Sequence, residues 1–346
     1  MLETSTDNIY PNDVAVVTGS VDTSQAGTYT LNYNYTDGSS NDAIQVTRTV
    51  IVQAAPGAQN NPHQISTTTQ FETYFSVART DTANFDKEYF ILLNNLDFQN
   101  QELSTRLELL GHLDDDGYTI SNFVISTNST SSNIGLFSYM SGGSLKNITF
   151  NNILVDSQTE YSSSKQMGLI AGEIRSNSVL ESITITNSKV ILRSNLSDAG
   201  AIGLISGNIK DTSVDSVNIS SSQVEYRAST NSTTHFKIGL LFGTNGGTVV
   251  LENITTSSNA VYHQQGNINP NAPGVIIGFP LADTAFNSSL TLNNINSTGT
   301  IFYLLSSGTR TSWKYGYYGQ FNATEAVETG TITITASSNT IGNYPH

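Results

Sequence analysis

The chain has no cysteine, few charges and no long apolar run, and each shortage closes off a class of protein. Without cysteine there are no disulfides, thiolate metal sites or cysteine nucleophiles. Lys and Arg number 14 along 346 residues against 28 Asp and Glu, a formal charge of −14. That is too few cations for a surface that binds nucleic acid. Charged residues make up only 12% of the chain, about half the usual share. No stretch reaches the roughly 18 consecutive apolar residues of a membrane-spanning helix, so membrane insertion is not expected. The opening Met1-Leu2-Glu3-Thr4 lacks both the basic and the apolar region of a secretion signal, which for an exported protein would lie outside this sequence.

Small neutral polar residues fill the space that charge leaves. There are 36 Asn and 87 Ser plus Thr, more than a third of the chain. The 14 Phe, the 16 Tyr and the many Ile, Val and Leu separate this composition from that of a disordered chain. With 37% hydrophobic residues a substantial core is within reach.

The apolar residues recur with a long period. Ile134-Gly135-Leu136-Phe137 returns as Met167-Gly168-Leu169-Ile170, Ile202-Gly203-Leu204-Ile205 and Ile238-Gly239-Leu240-Leu241, with a looser copy at Pro273-Gly274-Val275-Ile276. The glycines step by 33, 35, 36 and 35 residues. An apolar triplet at offsets 0, 3 and 5, or a near copy of it, follows each of the first four: Leu145/Ile148/Phe150, Leu180/Ile183/Ile185, Val214/Val217/Ile219 and Leu251/Ile254/Thr256. A third cluster closes each unit, at Ile153/Val155, Val190/Leu192, Val224/Tyr226 and Val261/Tyr262. The pattern fades through Leu292/Ile295 and Ile332/Ile334. Three short apolar clusters separated by Gly, Ser and Asn predict three short strands and three turns per unit. Such a unit buries its inward face only against its neighbours, so the copies stack. Alternation such as Ile183-Thr184-Ile185-Thr186 places Ile inside and Thr outside. The turns carry Asn151/Asn152, Asn187/Ser188, Ser221/Ser222 and Ser258/Asn259, and stacked turns of this composition predict hydrogen-bonded ladders.

Ahead of the repeats runs Leu110-Gly111-His112-Leu113-Asp114-Asp115-Asp116-Gly117-Tyr118-Thr119-Ile120-Ser121-Asn122-Phe123. It resembles the G-x-(F/L)-D-G-x-G-(H/Y)-T-I-S-N-L phrase of right-handed parallel β-helices in bacterial surface proteins, with Asp115 where that phrase has Gly. Tyr89–Phe98 resembles the strand that precedes it in those proteins, and the Gly-Leu units resemble their GLUG repeat. Together these resemblances imply a parallel β-helix over residues 64–346, repeats from about 134, and say little of function. A capping helix is expected over about 66–79. There Thr69-Gln70-Phe71-Glu72 fits a capping box, and Phe71, Tyr74, Phe75 and Ala78 mark an apolar face that covers the open end of the stack.

Residues 1–53 differ. Val21-Asp22-Thr23 followed by Gly27-Thr28-Tyr29-Thr30-Leu31-Asn32-Tyr33 resembles the V-D-T…G-T-Y phrase of Ig-like modules on bacterial surface proteins. The alternating Tyr29, Leu31, Tyr33 and Tyr35 is strand periodicity in its own right. The module is short for that family, which leaves two readings: a segment of a longer chain, or a sheet whose missing strand comes from a neighbour. Residues 54–63 read as a linker. The expected class is all-β: an Ig-like β-sandwich module followed by a parallel β-helix with a short capping helix.

No catalytic constellation emerges. Arg175, Arg193, Arg227, Lys189, Lys210 and Lys237 are scattered through the repeats, and Glu173, Glu181, Asp215, Glu225 and Glu252 look isolated from them. The five histidines have no zinc spacing. Calcium is the one cofactor with candidate ligands, Asp114 and Asp116 in the acidic turn and Asp13 and Asp22 in the Ig-like module; otherwise none is expected. Trp313, Tyr315, Tyr317 and Tyr318 form a late aromatic cluster that suits either a ligand surface or a plug for the last coil. The sequence thus points to a non-enzymatic, extracellular or cell-surface structural or adhesive segment. Its expected partners are host or matrix glycans or proteins, or copies of itself. Two alternatives stand beside it: a subunit of a self-assembling filament or sheath, and a polysaccharide-binding or polysaccharide-degrading β-helix.

Overall fold

The computed structural model describes residues 15–78, 88–103, 106–126, 132–158, 165–194, 200–228, 237–264, 277–280, 289–305, 326–329 and 333–336. The chain divides into two units, Met1–His63 and Gln64–His346.

In the first unit, strands β1 (Val16–Thr18), β2 (Gly27–Asn34) and β3 (Val46–Val52) form an antiparallel sheet in that order. Tyr29 stands opposite Val50, and Tyr33 lies between Val17 and Val46. Strand alternation therefore gathers Val17, Tyr29, Leu31, Tyr33, Val46, Val50 and Val52 on one face, with Arg48 among them, and leaves threonines and asparagines with Val16 and Ile51 on the other. None of these apolar residues is buried among the described residues, and Val46 and Ile51 of the edge strand β3 are largely exposed.

The second unit is a parallel β-solenoid. The apolar triplets stack in register, Leu145 on Leu180, Val214, Leu251 and Leu292, and Ile148 on Ile183, Val217, Ile254 and Ile295. Leu113 and Phe90 extend the first column toward the N-terminus. All of these side chains are buried in one continuous core. The offset of three within each triplet has a structural cause. Asn147, Ser182, Ser216, Asn253 and Asn294 each hold a left-handed backbone, with φ between 52° and 58°. One such residue bends the strand and inserts an extra position, so the next inward residue falls at the third place instead of the second.

The expected units of three short strands hold only for the earlier coils. There the second cluster divides into strands such as Phe137–Ser141 and Ser144–Asn151, separated by the left-handed Gly142. In the next two coils the same stretch is one strand, Ser206–Ser220 and Phe242–Ser257, and in the following one it divides again into Ile277–Pro280 and a strand, Ser289–Leu305, that runs on into the third cluster. The Gly-Leu phrase turns the chain between a small four-stranded parallel sheet and this main face. The phrase needs glycine because successive coils nearly touch there. A Cβ on Gly168 would lie 2.4 Å from the Ser206 Cα, and one on Gly203 would lie 2.4 Å from the Leu241 carbonyl oxygen.

The predicted ladder is present, and it runs in one direction. Ile153 donates its N–H to Ser188 Oγ of the next coil (3.2 Å), Ser188 donates to Ser222 Oγ (3.1 Å), and Ser222 donates to Asn259 Oδ1 (2.9 Å). Each hydroxyl in turn donates to its own coil, Ser188 to the Thr186 carbonyl and Ser222 to that of Ser220. The left-handed turn residue ahead of this ladder is Asn152, Asn187, Ser221 or Ser258. Asn151 thus falls one place early in the sequence alignment: it pairs with Thr186, and its Oδ1 accepts from Thr186 and Asn187. Ser222 is fully buried, so Ser222→Ala strands the Ser188 N–H. A loss of roughly 1–3 kcal/mol is expected, read by urea denaturation, whereas the exposed Ser221→Ala should cost far less.

The third cluster pairs in a different register from the one expected. Val155, Val190, Val224 and Val261 form one inward column, so His263, not Tyr262, stands opposite Tyr226, and Tyr262 stands opposite Glu225.

Helix α1 (Thr68–Phe75) closes the N-terminal end of the stack, as the sequence implies. Phe71 and Phe75 are buried against the rings of Phe90, Phe98 and Phe137 at 4.8–6.1 Å, and the burial of two such side chains is worth several kcal/mol, about 1.5–3 each. The capping box lies two residues earlier than expected. Thr67 Oγ1 accepts from the Gln70 N–H, and Gln70 Oε1 accepts from the Ser66 N–H. The helix also ends sooner, because Ser76 turns extended and bridges to Leu107; Ala78 is therefore beyond the helix and exposed.

Candidate functional site

The acidic turn does not form a converging carboxylate cluster. Strand alternation sends Asp114 and Asp116 to solvent and Asp115 into the interior. Asp114 accepts a hydrogen bond from the Asn147 amide (2.8 Å), and Asp116 takes the left-handed position beside Gly117. Asp115 Oδ1 accepts from the Gly117 N–H (3.0 Å), while Oδ2 is buried without a hydrogen-bond partner among the described residues. Burial, with Asp114 and Asp116 on either side, pushes the Asp115 carboxyl up to about 8. In the first unit, Asp22 is exposed, and its carboxylate is held below the usual range by the hydroxyl and N–H of Ser24. Asp13 and the aromatic cluster of Trp313, Tyr315, Tyr317 and Tyr318 lie outside the described residues. Among the described residues, no three His, Asp or Glu side chains are grouped to hold a metal ion.

The structure corrects the reading of scattered charges on the strand run that follows each Asn/Ser turn. Strands Leu154–Asp156, Lys189–Ser194 and Gln223–Ala228 lie side by side in parallel. Their inward residues, Val155, Val190, Val224, Leu192 and Tyr226, fill the core. Their outward residues bring five charges together. Arg193 pairs with Asp156 across one strand gap. Glu225 receives the Arg227 Nε at 2.5 Å on its own strand and lies 2.9 Å from the Lys189 Nζ on the next. Arg193 and Arg227 are direct register neighbours. Burial and the adjacent Arg227 together lower the Arg193 pKa, with Glu225 acting in the opposite sense.

The exposure of these side chains is uneven, and the imbalance gives the face its sign. Lys189, Arg193 and Arg227 are 34%, 21% and 32% exposed, whereas Asp156 and Glu225 are 15% and 1% exposed. The carboxylates sit beneath and the cations above. Among the other described ion pairs the acid is 43% exposed in Lys146–Glu181, 25% in Arg106–Glu108 and 17% in Arg175–Glu173, so the near-complete burial of Glu225 is what sets this group apart. On a chain of formal charge −14, the described residues of this strand face present more cation than carboxylate to solvent.

A second mixed group surrounds Tyr139, whose ring lies 5.7 Å from the Arg106 guanidinium and 4.8 Å from that of Arg175. Those guanidiniums pair with Glu108 and Glu173, so the group is neutral as a whole.

With the geometry in place, comparison with known proteins places the first unit. Residues 2–52 match the Ig-like domain family of bacterial surface proteins. A segment that matches this family thus precedes a parallel β-solenoid, a pairing that fits a surface-associated protein. No curated protein and no solved structure matches the chain. Among the described residues no helix is long and apolar enough to cross a membrane.

Proposed function

We propose that this chain is a non-enzymatic segment of a bacterial surface protein, in which the solenoid holds a binding face in a fixed geometry. The observation that carries this reading is the match of residues 2–52 to a surface-protein family, ahead of a solenoid whose core columns stay in register from Phe90 to Leu292. A stack of this kind is rigid along its length and tolerant of change on its outward faces, which suits display. The partners are host or matrix glycans or proteins. Beads coated with the chain should be retained on mucin- or matrix-coated surfaces above the level of albumin-coated beads. Equal retention would overturn the adhesive reading.

Self-assembly is the second reading, and the first unit favours it. Its three-stranded sheet carries an apolar face with no buried residue among those described, and β3 lies at its edge with Ile51 exposed. An edge of this kind pairs readily with another strand. On this reading, sedimentation velocity over a hundredfold concentration range shows growing oligomers, and Ile51→Lys returns the chain to monomer. A monomer throughout would remove it.

A further inference from the structure

The reading of a displayed binding face leaves the ligand open, and the charged strand face supplies a candidate. We propose that Lys189, Arg193 and Arg227 form a binding site for the carboxylates of an acidic polysaccharide, a polymer of uronic acid residues; this rests on the display reading. Three observations carry it. The five charged side chains sum to +1, and strands Leu154–Asp156, Lys189–Ser194, Gln223–Ala228 and Ala260–Gln264 contain no acid besides Asp156 and Glu225. The cations lie above the two carboxylates, so an incoming anion meets ammonium and guanidinium groups first. Arg193 and Arg227 also stand in adjacent rungs about 4.8 Å apart, a like-charge pair that an anion lying across both would relieve.

The same arrangement selects among anions. Glu225 and Asp156 lie directly below and repel a dense dianion such as sulfate or phosphate more strongly than a single carboxylate. Guanidinium groups match a carboxylate in plane and in hydrogen-bond geometry. The outward neighbours of Glu225 are Ile191, which is buried, and Tyr262, which is half-buried. They give the floor an apolar component of the kind that packs against the C–H face of a sugar ring. Arg193 and Arg227 span two adjacent coils, with Gln264 at the next register position, so a linear polymer crossing them can engage two successive carboxylates.

The test uses the full chain, with polygalacturonate and hyaluronate as probes and dextran as the neutral control, followed by biolayer interferometry at low salt. Both polyuronates should bind and dextran should not, with affinity falling as salt rises. Arg193→Gln combined with Arg227→Gln should weaken binding more than tenfold. Glu225→Gln keeps a hydrogen-bond acceptor for Arg227 but removes the buried competing charge, and should strengthen binding about tenfold. A gain of affinity does not arise from misfolding, so this variant decides the matter even where the double variant fails to fold. Wild-type chain that binds neither polyuronate overturns the ligand class, and binding that Glu225→Gln leaves unchanged overturns the site. Either result is separable from failure of the display reading, which the coated-bead assay tests without reference to these residues.

Discussion

Gly168→Ala is expected to unfold the central coils or to lower the midpoint of thermal unfolding by more than any surface substitution. The added methyl carbon would lie 2.4 Å from the Ser206 Cα, 2.5 Å from the Ala171 carbonyl oxygen and 2.6 Å from that of Ile205. All three neighbours are backbone atoms, so no side chain can swing aside. Overpacking a tight core costs about 1–3 kcal/mol and more where the main chain must move, and here the main chain must move. The cost also spreads, since each coil of a solenoid is stabilised mainly by its neighbours and a displaced coil weakens the stack on both sides. Gly246→Ala is the matched control. Its methyl carbon would meet nothing nearer than the Lys210 Cγ at 3.7 Å, and its φ is not in the left-handed range. Its effect should stay within roughly 0.5 kcal/mol. Circular dichroism melts of the two variants check the contrast, and equal midpoints would show that the coils are not locked together at the glycine crossing.

The second large effect concerns pH and Asp115. In the folded chain its carboxyl titrates at about 8, whereas in the unfolded chain it titrates near the usual value of about 3.9. Below the lower value both states are protonated and the group makes no difference. Between the two values the unfolded chain has released its proton and the folded chain has kept it, so unfolding gains ground as pH rises. The slope is at most about 1.4 kcal/mol per pH unit, and it vanishes above the upper value. Asp115→Asn mimics the protonated side chain and leaves an oxygen to accept the Gly117 N–H. It should abolish this part of the pH dependence and make the chain more stable than wild type at pH 9. Urea denaturation of both proteins at pH 5, 7 and 9 measures it. Parallel pH profiles would mean that Asp115 is ionised in the folded state.

Much of the fold was legible because a solenoid repeats its reasons. The triplets identified the core columns from Leu145 to Leu292, and the Ser and Asn turns identified a ladder that passes through two buried hydroxyls and ends on the Asn259 amide oxygen. The capping helix was visible too, although Thr67, not Thr69, caps it, since Thr, Thr and Thr in succession offer three similar starts. The charged face was missed for a definable reason. Aligning Ile153/Val155 with Val190/Leu192 shifts the third cluster by two residues. With Val155, Val190 and Val224 in one column, Asp156, Ile191 and Glu225 fall in the next outward column, and Arg193 and Arg227 fall in the one after. The ion pairs are diagonal, between different positions of the repeat, so no single column of the sequence displays them. Asp115 drew notice in the sequence only as standing where the family phrase has Gly, and its burial between two exposed acids had no sequence signal of its own.

Helix α1 seals one end of the stack with Phe71 and Phe75, and that asymmetry gives the molecule an arrow of assembly. A stack shut at its N-terminal end extends only at the other, each finished rung serving as template for the next. The N–H ladder points the same way, since each turn waits for a hydroxyl or amide oxygen that arrives about 35 residues later. A chain threaded N-terminus first through a narrow exit would thus fold in the order in which it emerges.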